Sequence, residues 1–176
     1  MNLGPCIDMD SGKKVYFLHP KPDQIDINDL ALGVSGMGRF YNQLHKWYSV
    51  AEHLVRCSWV SDDPKIQFCC LMHDAHEAIV GDVQSFLKRL IPQYIAIEHG
   101  VERAVARKYG FPYPHPPIVK EIDLILLATE KRDLKRHSDW RDSLYPPLKD
   151  KIVPWKREKA RRMFLKRFHE LYKGGA

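Results

Sequence analysis

At 176 residues the chain is long enough to bury one sizeable core and short for two domains. A hydrophobic share of 44% and an aromatic share of 11% exclude a disordered or fibrous protein. The net charge of +6 suits polyanionic partners such as nucleotides or nucleic acid, although most charged helical faces are simply solvated.

Residues 1–20 read as a short extended lead-in, with Val15-Tyr16-Phe17-Leu18 a small strand stopped by His19-Pro20-Lys21-Pro22. Asn28 is placed to cap a first helix through Leu30-Ala31-Leu32, which Gly33, Gly36 and Gly38 loosen or end. That glycine spacing lacks the Lys-Ser/Thr of a phosphate loop. Val50, Leu54 and Cys57 recur at helical spacing between Trp47 and Val60, and Ser49 with Glu52 has the pattern of a capping box. Ser61-Asp62-Asp63-Pro64 turns the chain into a helix from about Lys65 through Val80, apolar almost all round at Phe68–Met72 and so expected at the centre of the fold. Gly81 ends it.

Further helices are predicted over Val83–Leu90, Tyr94–Tyr109, Val119–Lys135 and Trp155–Tyr172, with the proline-rich stretch 110–117 as a stiff loop and Tyr145-Pro146-Pro147 as a break. The fold class is all-α, one domain over 1–176 with a short extended N-terminal segment. No apolar run approaches the length of a membrane span and no secretory signal opens the chain, so a cytoplasmic protein with no membrane partner is expected. Cys6, Cys57, Cys69 and Cys70 form no C-x-x-C pair and read as reduced, small core residues.

The chemistry concentrates in Leu71-Met72-His73-Asp74-Ala75-His76-Glu77-Ala78-Ile79-Val80-Gly81-Asp82. An imidazole beside a carboxylate, among apolar residues, is costly to bury unless something satisfies both, and a divalent transition metal does so. On one continuous helix His73 and Glu77 would share a face, with Asp82 just past its end. His53 lies among small and apolar positions of the preceding helix, and Asp123 sits between Ile122 and Leu124. A carboxylate in such a segment needs a partner. The set His53, His73-Asp74, Asp123 therefore points to a metal site.

That set resembles the signature of the HD-domain metal-dependent phosphohydrolases, and more closely the small single-domain members acting on deoxynucleotides. Arg39-Phe40, Tyr48 through His53, His73 through Glu77 with Gly81-Asp82 and Leu87-Lys88, and Asp123 through Glu130 carry the likeness over roughly residues 15–136. It implies an HD-type helical bundle. It also implies one divalent cation (Zn²⁺, Mn²⁺ or Co²⁺) on His53, His73, Asp74 and Asp123, with Glu77 as catalytic acid and Asp82 positioning water or a second ion. By the same resemblance Arg39 and Lys88 meet phosphates, and Phe40 excludes a ribose 2′-hydroxyl. Relatives of this kind include bacterial 5′-deoxynucleotidases and phage dATP triphosphohydrolases working in the host cytoplasm, often as dimers or hexamers. The cations Lys88-Arg89, Lys131-Arg132 and Lys135-Arg136 favour a triphosphate over a monophosphate. The competing class is a basic helical module for nucleic acid, supported by the cation-rich last helix. The segment between His53 and His73 is short for the 5′-deoxynucleotidases, and Leu54 stands where a serine is usual.

Overall fold

The structure, a computed structural model, describes residues 4–137, 139, 141 and 143–174; the first residues of the lead-in lie outside them. β1 (Cys6–Asp8) and β2 (Lys14–Tyr16) pair antiparallel, with Ile7 opposite Val15. The chain is otherwise dominated by helix: α1 (Ile27–Gly36), α2 (Val50–Cys57), α3 (Pro64–Met72), α4 (Glu77–Val80), α5 (Ser85–Lys88), α6 (Pro92–Tyr109), α7 (Pro117–Leu134) and α8 (Arg157–Leu171). The small sheet was half foreseen. The strand at Val15 is shorter than expected, and its partner at Cys6–Asp8 carries no alternating pattern long enough to announce itself.

Helix boundaries follow local chemistry. Asp26, rather than Asn28, caps α1, its carboxylate accepting from the Asn28 N–H at 2.9 Å. Ser49 caps α2 by accepting from the Glu52 N–H at 3.1 Å, but Glu52 does not close the box. Its carboxylate instead accepts from Arg56 at 2.9 Å and from the Trp155 N–H at 2.7 Å, joining α2 to the entry of α8. Asp63 caps α3, with Pro64 in the first turn as predicted.

The helix expected from Lys65 to Val80 is two helices separated by a tight turn. The side chains break it. His73 Nδ1 donates to the Cys70 carbonyl at 2.8 Å and His76 Nδ1 to the His73 carbonyl at 3.1 Å, occupying acceptors an α-helix would keep for its own amides. The Ala75, Glu77 and Ile79 amides turn to carbonyls three residues back. His73, Asp74 and Glu77 therefore do not share a face in the α-helical sense.

α1, α2, α3 and α8 pack on one another, α7 lies against α2 and α3, and α4 fits between α1 and α6. Leu30, Leu54, Leu71, Leu126 and Phe164 fill the interior, and Cys57, Cys69 and Cys70 are buried free thiols, as expected, whereas Cys6 is a free thiol only half-buried in β1 and not a core residue. Gly33 lets α4 approach: a Cβ there would stand 2.6 Å from the Ala78 Cβ and 2.9 Å from its Cα. Among the described residues no helix is long and apolar enough to cross a membrane.

Candidate metal centre and its cleft

α2 supplies His53, the end of α3 and the turn after it supply His73 and Asp74, and α7 supplies Asp123. His53 Nε2 lies 3.3 Å from Asp123 Oδ1, His73 Nε2 lies 3.2 Å from Asp74 Oδ2, and the two imidazole centroids are 5.4 Å apart. The four predicted ligands thus form two neighbouring pairs, His53 with Asp123 and His73 with Asp74.

Both rings are oriented from behind. His53 Nδ1 donates to Glu130 Oε1 at 2.6 Å, as His73 Nδ1 does to the Cys70 carbonyl, so each ring keeps its proton on Nδ1 and turns Nε2 toward a carboxylate. Metal-binding histidines are held this way. The buried His73 Nε2 has no hydrogen-bond partner. In its neutral form the ring offers a buried lone pair beside an ionised carboxylate, which fits a divalent cation.

Burial disfavours the His73 charge, but Asp74 and Asp123 outweigh it and raise the pKa to about 9. Burial likewise disfavours the Asp74 carboxylate, yet His73, His53 and His76 hold its pKa well below the usual range. Asp123 is lowered in the same manner against burial, by His53 and His73. Without metal, protons do the work of the cation.

Cys57 shares this space: its Sγ and ligand atoms of His53 and His73 all lie within 4.8 Å of one another, so the described residues contain a candidate metal-binding cluster that includes a thiol. Its sulfur is 3.4 Å from His53 Nε2 and 3.9 Å from Nδ1. A partner on the Nε2 lone pair would be much farther from Nδ1, so the sulfur lies across the ring. Burial, with Asp123 and Glu130 nearby, pushes the thiol pKa well up and keeps it protonated.

Glu77, Asp82, Arg39, Phe40 and Lys88 border a cleft of about 370 Å³ that also reaches Asp74 and Asp123. Burial, then Asp74 and Asp82, raise the Glu77 pKa well above the ordinary carboxyl value, and its Oε2 has no partner. Asp82 is raised too, chiefly by burial. Arg39 is mostly engaged: Nε and Nη2 both lie 3.1 Å from Glu130 Oε2, and Nη1 is 3.9 Å from Asp74 Oδ2. Against burial, Glu130, Asp123 and Asp74 keep it charged. Lys88 pairs with Glu98, which also lies 3.6 Å from His76 Nε2. Phe40 sits with the Arg39 guanidinium 5.7 Å and the Lys135 ammonium 5.1 Å from its centroid.

Of the cation pairs singled out in the sequence, Lys88, Lys131 and Lys135 border the cleft. Arg132 is committed to Asp133 and the Leu148 carbonyl, and Arg136 lines a different hollow with His45 and Lys46.

Cys57, read from the sequence as a small core residue, escaped sequence reasoning as a site residue, as did Glu130 and Glu98. Glu130 is fully buried and satisfies Arg39 with one oxygen and His53 with the other. Its position seven residues, two helical turns, past Asp123 on α7 was the available signal.

Fold and site together define a largely helical protein with a candidate metal-binding cluster at His53, Cys57 and His73, beside which Asp74 and Asp123 lie. The chain belongs to the family of the uncharacterized protein YfdR of Escherichia coli, with which it is 38% identical over 168 residues, 92% of each chain. It is also 32% identical over 119 residues to an uncharacterized protein of Rhodobacter capsulatus, covering 62% of this chain and 61% of that one. No family model matches the chain.

Proposed function

We propose that this protein is a metal-dependent phosphohydrolase of the HD type. Its substrate is a deoxynucleoside triphosphate, dATP by resemblance, and its products are the deoxynucleoside and tripolyphosphate. The meeting of His53, His73, Asp74 and Asp123, with both imidazoles turned Nε2-outward, carries this reading. A divalent cation bound there supplies Lewis-acid polarisation of a phosphoryl oxygen and makes water a better nucleophile near neutral pH.

The chain's own groups do the rest. Glu77, its pKa raised by burial and by Asp74 and Asp82, is suited to take a proton from the attacking water and return one. Water adds to the α-phosphorus, the bond to the 5′-oxygen breaks, and that oxygen leaves with a proton. Arg39 and Lys88 neutralise charge on the phosphates, the first as a planar fork and the second as a compact ammonium. Lys131 and Lys135 border the same cleft beyond Arg39 and Lys88, while Lys120 pairs with Asp123 at 2.6 Å; the two further ammonium groups are more positive charge than a monophosphate dianion requires once a cation covers Asp74 and Asp123. This favours the triphosphate over a 5′-deoxynucleotidase reaction.

Incubation of protein loaded with Zn²⁺, Mn²⁺ or Co²⁺ with each dNTP and dNMP, followed by chromatography, tests the proposal. Tripolyphosphate and deoxynucleoside are expected from a dNTP. Orthophosphate from dNMPs alone would make the protein a 5′-deoxynucleotidase, and no hydrolysis with any of the three metals would remove the enzymatic reading.

A basic nucleic-acid module is favoured by one observation: eight cations against two carboxylates from Lys156 to Lys173 equal the whole net charge of +6. Several are already engaged, Arg167 with Ser58 and Gln67 and Lys159 over Trp155.

A further inference from the structure

The cleft leaves open two aromatic rings that the phosphoryl chemistry does not use. Phe86 is 69% and Tyr41 is 51% exposed, and both border the cleft that reaches Asp74, Glu77 and Asp82. Large rings left uncovered beside a concave, charged site mark a place for a ligand.

The backbone under Tyr41 gives a second, independent sign. Phe40, Tyr41 and Asn42 have φ of 55°, 52° and 59°, the left-handed region that non-glycine residues seldom enter even singly. Three in succession persist only where the surroundings impose them, and such strain gathers at binding sites. Here the Asn42 N–H donates to the Arg39 carbonyl at 3.2 Å and the Gln43 N–H to the Phe40 carbonyl at 2.9 Å. The Gln84 N–H donates to Tyr41 Oη at 2.8 Å, tying the turn to the segment that carries Phe86. The Arg89 guanidinium lies 5.5 Å from the Phe86 centroid, over one face of the ring.

We propose that Tyr41 and Phe86 form an aromatic clamp for the heterocyclic base of a nucleotide whose phosphates lie toward Arg39, Lys88, Lys131 and Lys135. The inference rests on the nucleotide reading above and adds the group recognised: the flat face of the base rather than its hydrogen-bonding edge. Charge complementarity selects this occupant. Arg39 and four lysines border the same cleft beside Asp74, Glu77, Asp82 and Asp123; with a divalent cation on Asp74 and Asp123 the balance is positive, so the apolar occupant is joined to a polyanion, and a nucleotide is both. Stacking on π-faces tolerates every base and favours the larger ring systems, so purine deoxynucleosides bind more tightly than pyrimidine ones.

Calorimetric titration of the metal-loaded full chain tests the clamp, with 2′-deoxyadenosine, 2-deoxyribose and inorganic tripolyphosphate as probes. Tyr41→Ala and Phe86→Ala should each weaken 2′-deoxyadenosine roughly tenfold or more, Tyr41→Phe less, and leave tripolyphosphate affinity unchanged. The base-less sugar should bind none of them. Both rings are exposed, so the variants fold, which circular dichroism checks. Unchanged 2′-deoxyadenosine affinity, or equal losses for nucleoside and tripolyphosphate, overturns the clamp. So does a Phe86→Ala protein that alters only the sedimenting mass, since the ring with exposed Leu87, Leu90 and Ile91 would then cover a second copy of the chain. If no dNTP is hydrolysed while the nucleoside losses appear, the phosphohydrolase reading falls and the clamp stands.

Discussion

The inner wall of the cleft, built by α2 and α7, and its outer rim, built by the 39–42 turn and α5, handle their side chains in opposite ways. Inside, His53 is bonded to Glu130 at 2.6 Å and lies 3.3 Å from Asp123, and His53 and Glu130 are wholly withdrawn from water. On the rim, Tyr41, Phe86, Leu87 and Leu90 stand in solvent and the backbone bends through left-handed angles. Burial lets the inner wall fix nitrogen and oxygen positions and shift their proton affinities; the rim keeps surface free for something to land on. Substitutions inside should therefore damage chemistry and stability together, and substitutions on the rim should change selectivity while the fold holds.

The largest effect expected is at the proposed metal ligands. His73→Ala or Asp74→Ala should remove bound metal and lower dNTP turnover at least about a thousandfold. Helix content by circular dichroism should change little, because both residues lie in a turn. Metal analysis beside the rate assay checks this, and undiminished turnover would break the comparison. Next comes Glu130→Ala, which strands a buried guanidinium and an imidazole; a loss of about 3–5 kcal/mol is expected in urea unfolding.

Acidity offers a gentler probe. In metal-free protein the folded pKa of His73, about 9, lies above the ordinary imidazole value. The stability it contributes is complete below about pH 6.5 and is lost as pH rises toward 9, on the order of 3 kcal/mol at most. The lowered Asp74 and Asp123 act with the opposite sign, withdrawing stability in acid. Metal-loaded protein should show a flatter alkaline limb, since the cation replaces the proton. The smallest change in stability belongs to the rim. Phe40→Ala should shift the urea midpoint only slightly yet admit ribonucleotides, and unchanged selectivity in competition assays would remove the steric role of this ring.

Much of the inner wall was legible in the chain. Ser49 and Pro64 announced the starts of α2 and α3, and a histidine and an aspartate in apolar helical segments pointed at each other before any geometry was known. The turn at His73 was not legible, because periodicity records which residues are apolar and not which imidazole will take a backbone carbonyl from an amide. Glu130 was hidden for a related reason: a charged residue late in a helix reads as solvated until its two partners, from elements about 77 and 91 residues away in sequence, are in place. The rim was least legible. Nothing in Phe40-Tyr41-Asn42 signals positive φ, which tertiary contacts enforce against local preference.

Glu130 has a consequence of its own. One carboxylate serves the arginine that would meet phosphate and the imidazole that would meet metal. Drawing Arg39 toward an anion leaves more negative charge for the His53 N–H and makes the opposite ring nitrogen a stronger donor. Thermodynamic reciprocity then requires that loading the cation loosen Arg39 for its anion, so that each ligand would tighten the other by an equal factor.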